Sequence, residues 1–145
     1  MTDISKNKGQ DGLCFCRNFL NIRITLSAEA VGWLCGTTND NADIPISNHH
    51  IFLDLLSRMR MVQGSDESFR RPQYLQPGQL QYSEVGLAES WNIGRKKLHN
   101  LLVRMEDMKL IAYECSRTAS IAAMTCVIGW TDADGNNINN PFYKP

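Results

Sequence analysis

From Arg95 onward the chain reads RKKLHNLLVR, which sets the cations Arg95, Lys96, Lys97 and Arg104 beside His99 and Asn100, with no carboxylate until Glu106. Leu98, Leu101, Leu102 and Met105 recur at helical spacing, so the polar groups share the opposite face of a helix over 95–108. Positive charge at a helix N-terminus opposes the helix dipole by roughly 0.3–1 kcal/mol, a cost that a docked polyanion would offset. The pattern therefore points to nucleic acid. Lys96, Lys97, His99 and Asn100 are base-edge candidates, Asn suiting adenine and Lys guanine, while Arg95 and Arg104 suit phosphate. A solvated basic helix face is the plainer reading of the same residues.

Elements on either side must position that helix. Pro77-Gly78 makes a turn, and residues 79–82 alternate like a short edge strand. Ser83 is an N-cap candidate for a helix through Ser90 that buries Val85, Leu87 and Ala88. Trp91-Asn92-Ile93-Gly94 then supplies a tight connection, with Asn92 or Gly94 able to relax the backbone. Two helices so joined predict a helix-turn-helix, with Ser83 added to its DNA contacts. Beyond Lys109, the β-prone runs 110–113 and 121–130 predict a hairpin. Arg117, Thr118 and Ser120 near its tip suit phosphate or minor groove.

Upstream, residues 1–12 read as a polar flexible tail, and the apolar segment Leu13–Leu26 as an extended strand. Ser27 caps an expected helix over 28–35 that buries Val31, Trp33 and Leu34. After a turn-rich loop, Ser47 caps a helix carrying Ile51, Phe52, Leu55, Leu56, Met59 and Val62 through Gln63. Residues 64–76 form a polar loop in which Arg70 and Arg71 either meet a phosphate or are simply solvated. Residues 131–145 read as an irregular tail. Its Asp132, Asp134 and Gly135 resemble a calcium loop only superficially, because Asn137 and Tyr143 stand where such a loop needs Gly and Glu.

Bulk properties narrow the classes. The 145 residues are 43% hydrophobic, enough for one core, and the formal charge of +0 means that any polyanion site must come from local clustering. The N-terminal MTDISKNKGQDG lacks the apolar core of a signal peptide and no apolar run approaches membrane-spanning length, so a cytoplasmic protein is expected. Five scattered cysteines suit reduced, mostly buried thiols. A metal site built from Cys14, Cys16, His49 and His50 lacks diagnostic spacing. With no phosphate loop, nucleophile elbow or His-Glu-x-x-His, no catalytic residue, metal or cofactor is expected.

Pro77-Gly78-Gln79, Ser83 with Leu87-Ala88, Ile93-Gly94-Arg95-Lys96-Lys97-Leu98, and Leu102, Met105, Glu106, Leu110 and Ile111 together carry a family resemblance. The segment from Gly78 to Trp130 resembles the winged-helix DNA-binding domains of bacterial, phage and plasmid replication-initiation proteins, including the N-terminal domain of DnaD-like primosome proteins. The helix from Phe52 to Met59 resembles their first helix. Gly94 departs from the usual Ser or Thr cap of the recognition helix, and Met108 stands where Gly often ends it.

The resemblance implies an α+β, mainly helical fold. A winged helix-turn-helix, with a three-helix core and a β-hairpin wing, would span 47–130 within a single domain at 13–130, with residues 13–46 as an N-terminal strand and helix extension. It also implies major-groove binding to double-stranded DNA by helix 95–108. The expected role is that of an accessory, regulatory or replication-related factor of a mobile element. A homodimer and other replication or mobile-element proteins are the further partners. The 15 residues after Trp130 leave no room for a second domain, which favours an accessory factor over an initiator. A competing expectation is a winged helix used for protein interaction, pairing edge-to-edge through Leu13–Leu26.

Overall fold

Serine side chains start three of the helices in the computed structural model, which describes residues 19–38, 45–116 and 119–145. Ser27 caps α1 (Ala28–Leu34), Ser47 caps α2 (Asn48–Arg58) and Ser83 caps α3 (Glu84–Ser90), each hydroxyl accepting from the backbone N–H three residues on. The fourth helix, α4 (Arg95–Asp107), begins at Gly94 with no side-chain cap.

Helices α3 and α4 end alike, and the sequence explains only one of the two ends. Asn92 adopts φ 53 after α3, and Lys109 adopts φ 66 after α4. In each case the next N–H reaches back five residues, Ile93 to the Ala88 carbonyl at 3.0 Å and Leu110 to the Met105 carbonyl at 3.0 Å. This is the left-handed helix stop normally given to Gly or Asn. At α4 it is carried by Lys109, whose charge suits the negative end of the helix dipole.

Eight strands accompany the helices among the described residues: β1 (Phe19–Ile24), β2 (Thr37–Thr38), β3 (Ile46–Ser47), β4 (Gln79–Tyr82), β5 (Ala112–Cys115), β6 (Ser120–Ala123), β7 (Val127–Asp132) and β8 (Asn137–Asn139). They form three small antiparallel sheets, ordered β1-β7-β8, β2-β3 and β4-β6-β5. Tyr82, Ser120 and Cys115 stand in one row across the last sheet.

The expectation of a mainly helical winged helix-turn-helix is overturned. The described residues are 32% helical and 26% strand, with four helices and three small antiparallel sheets in place of a three-helix core, one β-hairpin wing and an N-terminal strand and helix. The main cause is the apolar run 121–130, which does not form one long hairpin strand. It breaks at Met124–Cys126, giving β6 to one sheet and β7 to another, where β7 pairs with β1 from the N-terminal region. Ala122 through Val127 are buried throughout, so an uninterrupted apolar pattern reflects a passage through the core and hides the break.

Residues 131–145 are also not an irregular tail. They complete β7 and supply β8, after which the buried Asn140 side chain donates to the Met124 and Val127 carbonyls, both at 2.8 Å. Asn140 also excludes any side chain at Gly78, which has φ +98 and faces its amide oxygen. Gly129 is required for a different reason: a Cβ there would run into the Ile138 carbonyl of β8. Asp132 spends its carboxylate on the Asp134 and Asn136 N–H groups, which accounts for the apparent calcium pattern as a turn.

Trp33, Ile51, Leu55, Leu80, Leu87, Trp91, Leu98, Leu102, Met105, Leu110 and Trp130 lie in one continuous core. Three expected core residues do not: Val31, Val62 and Val85 are exposed. Met59 is already extended, with ψ 135, so α2 stops before Val62. The Trp91 indole N–H donates to Asp54 at 2.7 Å, fastening the α3–α4 turn to α2. Among the described residues, no helix is long and apolar enough to cross a membrane.

Candidate nucleic-acid interface

Helix α4 buries Leu98, Leu101, Leu102 and Met105 as the leucine spacing demands. At about 3.6 residues per turn, the line opposite that stripe holds Lys96, Asn100, Val103 and Asp107. Lys97 and Arg104 flank it on one side, and Arg95, His99 and Glu106 on the other. Lys96, Lys97, Asn100, Val103 and Arg104 are all exposed. Neither lysine nor Arg104 forms an ion pair with any described residue. The acidic pair Glu106 and Asp107 comes only in the last turn, so the N-terminal half of the helix face is positive.

The other flank is tied to the protein. Arg95 forms an ion pair with Glu84 of α3 at 2.9 Å, and the Cys115 thiol donates to the same carboxylate at 3.4 Å. Together the guanidinium and the thiol hold the Glu84 carboxyl below its usual range, the Arg95 bond contributing most. Burial pushes the Tyr82 phenol up, and the Cys115 thiol 3.6 Å away adds to the shift. His99 meets Tyr113 of β5 edge-on with ring centres 6.5 Å apart, while Glu106 accepts from the Tyr113 N–H. These contacts set the rotation of α4 against the β4-β6-β5 sheet.

The residues expected to bind DNA thus divide. Lys96, Lys97, Asn100 and Arg104 share one open face. Arg95 and His99 stand beside it, engaged with protein. The Ser83 hydroxyl caps α3, accepting from the Gly86 N–H at 3.1 Å. Ser120 lies 3.5 Å from the Cys115 sulfur. Arg117 and Thr118 lie outside the described residues. Arg70 and Arg71 sit in the 64–76 loop against β4, where the Arg71 carbonyl accepts from the Gln81 side chain.

Two members of the site went unseen in the sequence. Val103 is an exposed apolar residue on the outward line of α4, legible from helical spacing once the buried stripe is fixed. Glu84 carries no local signal, because its partner lies on another helix. The uncapped start at Gly94, with φ −74 and open space where a Cβ would stand, leaves the first N–H groups of α4 without a capping side chain. Beside it, Val85 borders an open cleft at the α3–α4 turn, which is why that residue is not in the core.

Among the described residues no three His, Cys, Asp or Glu side chains group as metal ligands. Cys126 is buried, its thiol pushed up to about 12 by that burial, whereas Cys35 and Cys115 are exposed, against the expectation of buried thiols. Cys14 and Cys16 lie outside the described residues. The N-terminal strand β1 pairs with this chain's own β7. Comparisons with protein-family models, curated proteins and solved structures find no match.

Proposed function

We propose that this protein binds double-stranded DNA in the cytoplasm, with the N-terminal half of α4 in the major groove. One observation carries the reading: Lys96, Lys97, Asn100 and Arg104 share a solvent face free of carboxylates until the final turn, and its three cations have no ion-pair partner among the described residues. Arg104 in the last turn suits the helix dipole, whereas Lys96 and Lys97 in the first turn oppose it, a cost that a docked polyanion offsets. The uncapped N–H groups after Gly94 add donors at the same end, as anions bound at helix N-termini require.

Lys96 and Asn100 then face base edges, Lys suiting guanine and Asn adenine, and Lys97 and Arg104 take phosphates. Val103 extends the line with methyl groups that suit the C5-methyl of thymine. From Lys96 to Val103 the line rises about 10 Å at about 1.5 Å per residue. That covers about three base-pair steps of roughly 3.4 Å. An accessory, regulatory or replication-related role for a mobile element is the use of such binding that the sequence resemblance implies.

The test is affinity for a pool of random duplexes at several salt concentrations. The two phosphates taken by Lys97 and Arg104 give log K against log salt a slope of about −1.8. A flat dependence, or no duplex binding at low salt, removes this function.

A further inference from the structure

The 64–76 loop is held unusually firmly for a surface connection. Gly64 and Leu75 exchange both backbone hydrogen bonds, at 2.9 and 2.7 Å, closing its neck over the buried Leu75. Within it, the side chain of Gln81, only 7% exposed, accepts from the Gln73 N–H at 3.0 Å and donates to the Arg71 carbonyl at 3.1 Å. A buried amide is thus spent on fixing the turn that carries Arg70, Arg71, Pro72 and Tyr74. Because Leu75 points inward, Tyr74 points out, and at 64% its exposure exceeds that of Val62 and Val85. Arg70 and Arg71 are exposed and form no ion pair with a described residue. The loop's own acids are occupied: Asp66 accepts from the Ser68 N–H and hydroxyl, and Glu67 from the Ser65 hydroxyl.

Position links this loop to α4. Gln81 precedes Tyr82 and the Ser83 cap, and Glu84 holds Arg95 at the start of α4. Three strand-like residues span about 10 Å, which with the Gln81 and Glu84 side chains and their contacts places the Arg71 backbone within roughly 25 Å of the Arg95 guanidinium.

From this juxtaposition we infer that the loop is a second nucleic-acid contact, one that takes an unpaired strand leaving the duplex bound by α4. The Tyr74 ring stacks on a base, and Arg70 and Arg71 hold the adjoining phosphates. An exposed aromatic ring on a fixed loop needs a free base face, which single strands offer and paired bases do not. The inference rests on the duplex reading only for what lies beside the loop.

The experiment compares a blunt duplex with the same duplex carrying a single-stranded overhang of about five nucleotides, in either polarity, by fluorescence anisotropy. One polarity of overhang raises wild-type affinity about 5- to 150-fold, the range set by stacking one base. Tyr74→Phe keeps the gain and Tyr74→Ala loses it. Arg70→Gln with Arg71→Gln flattens the salt dependence of the gain by about 1.4, at about 0.7 per single-strand phosphate. These side chains are exposed, so the variants fold. No gain from either overhang, or a gain that survives Tyr74→Ala, overturns the inference while blunt-duplex binding still supports α4. Conversely, a Tyr74-dependent affinity for single strands without blunt-duplex binding upholds the loop and removes the α4 reading.

Discussion

Replacing Glu84 with Gln should strengthen DNA binding, although the substitution removes an ion pair. In the free protein the Glu84 carboxylate holds the Arg95 guanidinium at 2.9 Å, with the Arg95 side chain 66% and the Glu84 side chain 27% exposed. A pair this wet contributes about 0–1 kcal/mol to stability. Its loss, with that of a negative charge in the first turn of α3, costs the fold about 1 kcal/mol in all. Against this, the freed guanidinium can neutralise one more phosphate, steepening the salt slope by about 0.9. That makes the variant gain about 3.5-fold more than wild type when salt falls from about 200 to 50 mM. Anisotropy titrations of both proteins on one duplex, with a urea melt to confirm folding, read this directly. An unchanged or shallower slope in a folded Glu84→Gln variant refutes the idea that Arg95 is a phosphate ligand held in reserve.

Gly94→Ser should move stability and affinity in opposite directions. The new Cβ meets nothing within 4 Å. A capping hydroxyl adds a few tenths of a kcal/mol while occupying an N–H offered to phosphate. A higher Tm with weaker duplex binding is expected, and unchanged binding would remove the backbone donors from the interface. For Val103, exchanging thymine for uracil throughout a selected duplex should weaken wild-type binding more than that of Val103→Ala, which keeps a smaller apolar contact. Equal losses in both proteins would show that Val103 does not read the methyl group. The pH dependence of stability follows from Glu84, whose carboxyl the Arg95 guanidinium and Cys115 thiol hold below its usual range. A depressed acid stabilises the fold above its unfolded pKa, about 4.3, and that contribution is lost as pH falls through the folded pKa. The stability difference between wild type and Glu84→Gln should therefore be constant from neutral pH to about 5 and shrink below about 4. A difference that disappears already between pH 7 and 5 would contradict the assignment.

What the sequence made legible was local chemistry. Ser27, Ser47 and Ser83 each cap the helix they precede, and the leucine spacing fixed both the buried and the open faces of α4. Counting apolar residues failed at Val31, Val62 and Val85, because periodicity marks a face but not where the helix stops or whether anything covers it. The larger miss was topological. The pairing of β1 with β7 joins residues from opposite ends of the chain, and no pattern within 121–130 marks the break between two sheets. The same limit hid the partner of Arg95, since a basic residue read in isolation looks available when a carboxylate on another helix already holds it.

The most direct measurement is the salt dependence of duplex binding for wild type beside a Lys96→Gln, Lys97→Gln, Arg104→Gln variant. All three side chains are exposed and free of ion pairs with described residues, so the variant should fold as the parent does. The expected result is a wild-type slope that becomes shallower by about 1.8 in the variant, from the two phosphates lost with Lys97 and Arg104, with affinity falling most at low salt. Identical titrations for the two proteins would show that the open face of α4 does not touch DNA.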